Sequence, residues 1–378
     1  MSDNRVRRAW RDATLGGITR LVGGRAQPMP RWDDGTPRRV LFLRHDRIGD
    51  MLMSTGIIPA LGRAHPRLTL DVLATPANAP ALDGIDGVGE VLVHRVRGPR
   101  EALRVGRLLR PRGYDAVVDG LVLNGRVITR TAALLAGTGA PVRIGMGGAR
   151  QQAHVYTHPV PPPPDPDRAH HVEWLAQLAA PFGLDPRAVP RPTLAVTADE
   201  AARAAAAWRA GRRAPDAGEG AEPVRLVVNV SAGSWHRRWP DGHFAEVLGH
   251  LARRHPDVQV ALLSEPGERD AVAALAAAGG VDAPATPTLR DALALVAAAA
   301  GVFTPDPSLA HAAAAFGTPC VSLMLPGTGR FGPYRTPGEV VFSPGPLLPS
   351  LDAAAALPAL DRLVALARAA RGRRAAER

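Results

Sequence analysis

Hydrophobic positions along the chain fall into two alternating kinds of run. Short stretches rich in Val, Ile and Leu predict strands, and alanine- and leucine-rich stretches with helical spacing predict helices. In the first half strands are expected at 40–44, 68–73, 91–94 and 116–119, with helices at 51–64 and 101–109. Pro161 to Pro164 then form a run that neither a helix nor a central strand accommodates. Helical character returns at 169–181 and at 201–213, a polar alanine-arginine segment followed by a loop at 214–223. The alternation restarts with strands at 226–230, 258–263, 302–304 and 320–323 and helices at 243–254, 268–278, 289–299 and 309–316. Asp241 is placed to cap the first of these helices, and Gly317-Thr318-Pro319 ends the last.

Strands alternating with helices predict parallel α/β sheets. Two such units in succession predict two Rossmann-like lobes with a cleft between them. The expected division is a basic segment over 1–37, a first lobe over 38–160, a linker with connecting helices over 161–223, a second lobe over 224–345 and a C-terminal helix over 346–378. That last helix is rich in alanine and arginine and carries no readable chemistry. Ligands bind such sheets at the carboxyl ends of strands, so the loops there carry the functional reading.

Composition narrows the class. With 378 residues and 46% hydrophobic content, a packed two-domain protein is expected. No run approaches the ~20 apolar residues of a membrane span, and the N-terminus lacks the apolar core of a secretory signal. The single cysteine, Cys320, excludes an internal disulfide framework and fits a reducing cytoplasm; its apolar surroundings predict an inert buried thiol. The net charge of +11 invites a nucleic-acid reading, but all 46 basic residues are arginine, which together with abundant alanine fits codon bias. The arginines are scattered and aromatics are only 4%, so no nucleic-acid partner is expected. Val6, Trp10, Ile18, Leu21 and Val22, beside Arg5, Arg7, Arg8, Arg11 and Arg20, suit a helix lying on an anionic membrane surface. A helix packed on the protein, or a loose terminus, accounts for that stripe equally well.

Three loops carry candidate chemistry. After the first strand comes Arg44-His45-Asp46-Arg47-Ile48-Gly49-Asp50, where Gly49 permits a tight turn and Asp50 stands at a helix N-terminus. Asp50 is either a capping carboxylate or a base that takes a proton from a bound hydroxyl. The loop lacks the glycine pattern of a dinucleotide fold, which disfavours an NAD-dependent oxidoreductase. After the first strand of the second unit comes Ser231-Ala232-Gly233-Ser234-Trp235-His236-Arg237-Arg238-Trp239-Pro240. Small residues let backbone N–H groups approach phosphate oxygens, and paired arginines neutralise a diphosphate. The third is Asp306-Pro307-Ser308-Leu309-Ala310-His311, a strand-to-helix turn suited to a ribose, sugar or phosphate, with His311 expected in the helix's first turn.

Taken in order, these segments resemble glycosyltransferase family 9, the bacterial heptosyltransferase family. The family's Ser/Asp-x-x-Gly-Asp turn, basic-x-Trp-Pro loop, Asp-x-Ser/Gly-x-x-His turn and Gly-x-Pro-Val with Gly-Pro-Tyr are similar to residues 46–50, 231–240, 306–314, 317–320 and 332–334. Val142-Arg143-Ile144-Gly145 and His170-His171-Val172-Glu173 also fit, so the resemblance spans about residues 38 to 345. It implies a GT-B fold with an acceptor lobe first, a nucleotide-sugar lobe second and a C-terminal helix that often crosses back. It also implies metal-independent, inverting transfer of a sugar, heptose from ADP-heptose, onto a glycan, glycolipid or small-molecule hydroxyl, with lipopolysaccharide core the family's usual acceptor. The setting it implies is the cytoplasm or the inner face of the membrane.

By the same resemblance Asp50 is the general base, and Arg44, Asp46 and Gly49 belong to the acceptor-side loop. Arg237 matches the basic residue, often lysine, that holds the diphosphate, among Ser231, Gly233 and Ser234. Glu268 falls where the family has a carboxylate against the nucleoside, in a loop here poorer in glycine. Asp306, Ser308 and His311 match the turn around donor sugar and phosphates, with Pro307 in place of a small residue. No metal or cofactor is expected: Asp165-Pro166-Asp167 lies in the proline-rich linker rather than after a strand, and no histidines show paired ligand spacing on a helix. The alternatives are a non-catalytic nucleotide-sugar-binding protein of the same fold, which retention of Asp50 argues against, and a transferase for another nucleotide sugar.

Overall fold

A computed structural model describes residues 27–122, 129–147, 155–211, 222–305 and 307–376. The N-terminal stripe over residues 6–22 and Asp306 therefore lie outside the described residues. The chain divides into two units, Met1–Pro192 and Thr193–Arg378, so the boundary falls inside the stretch read as a linker. Among the described residues no helix is long and apolar enough to cross a membrane.

In the first unit six strands pair in parallel: β1 (Arg38–Arg44), β2 (Leu68–Ala74), β3 (Val91–Val93), β4 (Ala116–Asp119), β5 (Val142–Met146) and β6 (His158–Val160). Their order is β3-β2-β1-β4-β5-β6, every pairing parallel. Val40 to Leu43 are fully buried, as an unbroken apolar run at the centre of a doubly covered sheet requires. The chain leaves β1 toward one side and returns to β4 on the other, so the carboxyl ends of β1 and β4 flank the switch point where such sheets bind ligands.

The helix expected over 51–64 is two helices, α1 (Ile48–Ser54) and α2 (Ile57–Gly62). They break at Gly56, where a Cβ would meet the Pro190 carbonyl at 2.2 Å, so a passing backbone excludes any side chain. α3 (Pro99–Leu109) matches its reading, whereas α4 (Thr129–Thr138), β5 and β6 are additions. β6 carries Pro159, which an edge strand tolerates and which masks the strand in sequence. The expected helix over 169–181 is the short α5 (His171–Ala176) followed by 3-10 turns that run to Phe182.

The second unit holds β7 (Val224–Asn229), β8 (Val258–Leu263), β9 (Gly301–Thr304), β10 (Cys320–Met324) and β11 (Gly338–Phe342), in the order β11-β10-β9-β7-β8 and all parallel. Its helices are α6 (Ala198–Ala210), α7 (Asp241–Arg254), α8 (Arg269–Gly279), α9 (Leu289–Ala298), α10 (Pro307–Phe316) and α11 (Ala353–Ala376). The switch point here lies between β7 and β9. Asp241 does not cap α7: it is the first helical residue, and Pro240 holds the cap position without a side-chain bond. Gly317 ends α10 with φ 70°, a left-handed conformation that glycine adopts without strain. Cys320 is buried in β10, and burial pushes its thiol well above the ordinary value, as the inert reading expects.

α11 packs against β7, β9, β10 and β11 of its own unit, burying Ala356, Leu360, Leu363, Val364 and Ala367. Trp239, fully buried, joins this core edge-on to Phe244 and donates its indole N–H to the Leu351 carbonyl at 2.8 Å.

A buried ion pair fastens α6 to α9. Arg290 Nε donates to Glu200 Oε1 at 2.7 Å, and its Nη2 donates to Glu200 Oε2 and to the Ala195 carbonyl. Glu200 also closes a capping box with Thr197. The Arg290 hydrogen bond above all, then those at Thr197, holds the Glu200 carboxyl down from the ordinary 4.5 to about 2. A depressed carboxylate stabilises the fold above its unfolded pKa, and that stability is lost as pH falls toward the folded value. Glu200→Gln is therefore expected to melt below the native chain at pH 7, with the gap closing between pH 4.5 and about 2. Thermal unfolding across that window checks it, and a gap independent of pH there would contradict the pairing.

Candidate functional site

β1 ends by delivering Arg44 into the interior, 1% exposed. A buried guanidinium must satisfy its donors, and it does so on the backbone. Nε and Nη2 donate to the Asp50 carbonyl at 2.9 and 2.7 Å, and Nη1 donates to the Gly120 carbonyl just past β4. Ser54 Oγ donates to the same Asp50 carbonyl at 2.9 Å. The backbone of Asp50 is thus pinned, while its carboxylate stands 3.6 Å from Arg44 Nη2 with a side chain 26% exposed. Asp46 Oδ2 lies 3.4 Å from Nη1 of the same guanidinium.

The structure therefore brings Arg44, Asp46 and Asp50 together at the β1–β4 switch point. Two details of the sequence reading need correction. Gly49 makes no left-handed turn: it is buried as the second residue of α1 and is not among the glycines with positive φ. Asp50 is not the cap either, since Arg47 holds that position and Asp50 is the third helical residue.

Residues the sequence reading passed over complete this cluster. Asn78 Nδ2 donates to the carbonyls of Arg44 and Asp46, holding the loop from the β2 side. Asp119, at the end of β4, accepts from the Tyr156 hydroxyl at 2.5 Å and from the Leu121 N–H at 2.9 Å. The available signal was Asp119 itself, a carboxylate closing an apolar strand. Burial pushes Asp119 up to about 6 against these bonds and against Arg44. Burial likewise pushes Asp46 up to about 7, with Arg44 opposing and Asp50 and Asp119 adding to the rise. His45, itself buried, is held down to about 3 by burial and by the Arg130 and Arg44 cations, so its ring is neutral at pH 7.

In the second unit the loop after β7 is built on Ser231, 4% exposed. Its Oγ donates to Glu268 Oε2 and accepts from the Glu265 N–H at 2.7 Å. Asn229 Nδ2 supports it from beneath, donating to the Ser231 carbonyl at 2.8 Å and to Thr304 Oγ1, at the end of β9, at 3.1 Å. Ser231 and Glu268 are thus in direct contact. Arg238, the second of the paired arginines expected at the diphosphate, instead holds the second oxygen of Glu268. Its neighbour Arg237 donates through Nε to Ser234 Oγ at 2.9 Å, and its terminal amino groups have no partner among the described residues. Gly233 is exposed in this loop.

Ser308 and His311 lie on α10, directly after β9. His311 is the fifth residue of that helix and buried, so it opens the second turn rather than sitting in the first. Beyond the carboxyl end of β8, next to Glu268 in sequence, a small pocket is lined by Leu262, Ser264, Arg269, Val272, Ala283 and Thr286. Its walls are apolar apart from the Ser264 and Thr286 hydroxyls and the Arg269 side chain.

Asp165 and Asp167 are exposed in the proline-rich stretch. A cluster that sequence spacing did not reveal is formed by His250, His255 and Asp361, whose ligating atoms lie within 4.8 Å of one another. Arg368 approaches His255 Nδ1 at 3.3 Å, and a guanidinium can only donate, so Nε2 of that ring carries the proton. That Nε2–H, like His250 Nε2, sits 2.7 Å from Asp361 Oδ1. The cluster is closed by hydrogen bonds that tie α11 to α7.

Residues 102–357 match the family model for glycosyltransferase family 9 (heptosyltransferase). No curated protein sequence matches the chain. Among solved structures, a glycosyltransferase of family 9 from Veillonella parvula aligns over 89% of this chain and 99% of its own, with TM-score 0.69 and 14% identity. The E. coli ADP-heptose lps heptosyltransferase II aligns over 86% and 98%, with TM-score 0.65 and 22% identity. E. coli heptosyltransferase WaaC with ADP aligns over 87% and 99%, with TM-score 0.64 and 22% identity. At these identities the structures establish the fold, two parallel-sheet α/β units of the GT-B type. The chain belongs to glycosyltransferase family 9, the heptosyltransferase family, and is a glycosyltransferase.

Proposed function

We propose that the protein transfers heptose from ADP-heptose to a hydroxyl of a glycan or glycolipid, by inverting displacement and without a metal or other cofactor. The observation that carries this reading is the pinned Asp50: three hydrogen bonds fix its backbone and leave its carboxylate partly exposed. Asp50 accepts the proton of the acceptor hydroxyl as that oxygen bonds to the anomeric carbon. The bond from that carbon to the diphosphate oxygen breaks on the opposite face, and ADP departs with the electron pair. The terminal amino groups of Arg237, with the N-terminus of the long helix α7, supply positive charge for the departing diphosphate. Glu268, oriented by Ser231 and Arg238, accepts from the ribose, and the pocket beyond β8 receives the base. The ADP-heptose assignment draws further support from a WaaC structure that holds ADP-2-deoxy-2-fluoro heptose.

The test is incubation with ADP-heptose and with UDP- and GDP-sugars, following released nucleotide and the glycosylated product. ADP release from ADP-heptose alone is expected. Release only from another donor would replace the sugar, and tight nucleotide binding without turnover would replace the enzyme by a binding protein. Arg237→Ala is expected to raise the donor KM by about 10- to 100-fold, the worth of a lost hydrogen bond to a charged group at about 1.5–3 kcal/mol. Initial rates against donor concentration check it.

A further inference from the structure

Two carboxylates, Asp46 and Asp50, flank the single buried guanidinium of Arg44, one on each terminal nitrogen. Arg44 cannot neutralise both. Most of its hydrogen bonds are spent on the carbonyls of Asp50 and Gly120, and Asp119 stands close enough to act on Asp46 as well. Asp46 Oδ1 is enclosed and has no hydrogen-bond partner. A carboxylate oxygen buried in that way is costly to charge, so the ionisation of Asp46 is set by burial first and then by its charged neighbours and one backbone hydrogen bond.

We propose that Asp46 is the tuning partner of Asp50: the two carboxylates share one guanidinium, and the negative charge on Asp46 strengthens Asp50 as acceptor of the proton that leaves the acceptor sugar's hydroxyl. The inference rests on the reading of Asp50 as the base. Asp46 does not touch the reacting atoms in this scheme and is a positioning residue in the electrostatic sense. The charged groups that face it are Arg44 from β1, Asp50 from α1 and Asp119 from β4, while its chain neighbour His45 is neutral.

At low pH Asp46 is protonated and Asp50 has Arg44 to itself. As pH rises through about 7, Asp46 loses its proton, and the repulsion between the two charges is relieved when Asp50 takes up the acceptor's proton. The native enzyme should therefore show an acid limb in kcat/KM near pH 7.

The experiment compares pH profiles of native enzyme, Asp46→Asn, Asp46→Glu and Asp50→Asn, with the donor KM measured for each. Asp46→Asn is expected to lower kcat at pH 8 by about tenfold, as a weaker base does under Brønsted behaviour. Its acid limb near pH 7 is expected to disappear while the donor KM stays within about twofold. Asp46→Glu, which restores the charge, should return the limb toward 7. An Asp46→Asn limb superposable on the native one, or an Asp46→Glu variant that behaves like Asp46→Asn, overturns the tuning role. Persistence of near-native transfer in Asp50→Asn overturns the base assignment and this proposal with it; an inactive Asp50→Asn beside an unmoved Asp46→Asn limb overturns only the proposal.

Discussion

Replacing Asp50 by asparagine is expected to lower kcat by ~10²–10⁴-fold, the usual worth of a positioned general base, while nucleotide binding survives. The substitution keeps the shape of the side chain and removes its charge, and with it the ability to take a proton. The backbone carbonyl on which Arg44 and Ser54 converge is untouched, so the loop should keep its conformation. Ser231, Arg237 and Glu268, proposed for the donor, belong to the other unit and make their contacts there. Loss should therefore fall on kcat rather than on the dissociation constant for ADP. Single-turnover rates alongside calorimetric ADP titration separate the two, and transfer within a few-fold of native would sink the assignment.

The second large effect is on stability. Trp239→Ala is expected to destabilise the second unit by about 3–5 kcal/mol, the range for removing a large buried aromatic side chain. Trp239 is fully enclosed, packs against Phe244 and Phe303, and holds the approach to α11 through Leu351. Four residues earlier, Trp235 is 76% exposed, and Trp235→Ala should change stability by no more than about 0.5 kcal/mol. Denaturant midpoints of the two variants make the comparison. A loss below about 1 kcal/mol for Trp239→Ala would contradict the packing described. Both tryptophans lie in the loop that also holds Arg237, so the pair separates the part of that loop that anchors the fold from the part that faces solvent.

Much of the fold was legible because it is local. The strands β1, β2, β7 and β8 are rich in Val and Leu, and α3, α7, α9 and α10 carry helical spacing, so each announces itself within its own residues. The strands that escaped, β5, β6 and β11, are short or lie at sheet edges. β6 carries a proline and β11 is only partly buried, so neither shows a buried strand's pattern. α4 follows residues that lie outside the described ones, and its alanine-rich sequence is buried nearly throughout, which removes the amphipathic stripe that reveals a helix.

The candidate site divides in the same way. The sequence by itself placed the candidate residues in the loops after β1, β7 and β9, because polar residues at the end of an apolar strand stand out without reference to anything distant. It also supplied the chemical types, carboxylates in one loop and arginines with small hydroxyl residues in another. Only the tertiary structure decided which groups meet. Sheet order sets β4 beside β1, and this puts Gly120 and Asp119 against Arg44 across an interval of more than seventy residues. It lets Arg238 hold Glu268 and leaves Arg237 open at its terminal nitrogens. It also makes the Asp46–Asp50 pair a matter of one shared cation. Proximity along the chain reports propensity and pattern, whereas burial, ion pairing and proton affinity depend on neighbours that strand order chooses, and strand order is a property of the folded sheet.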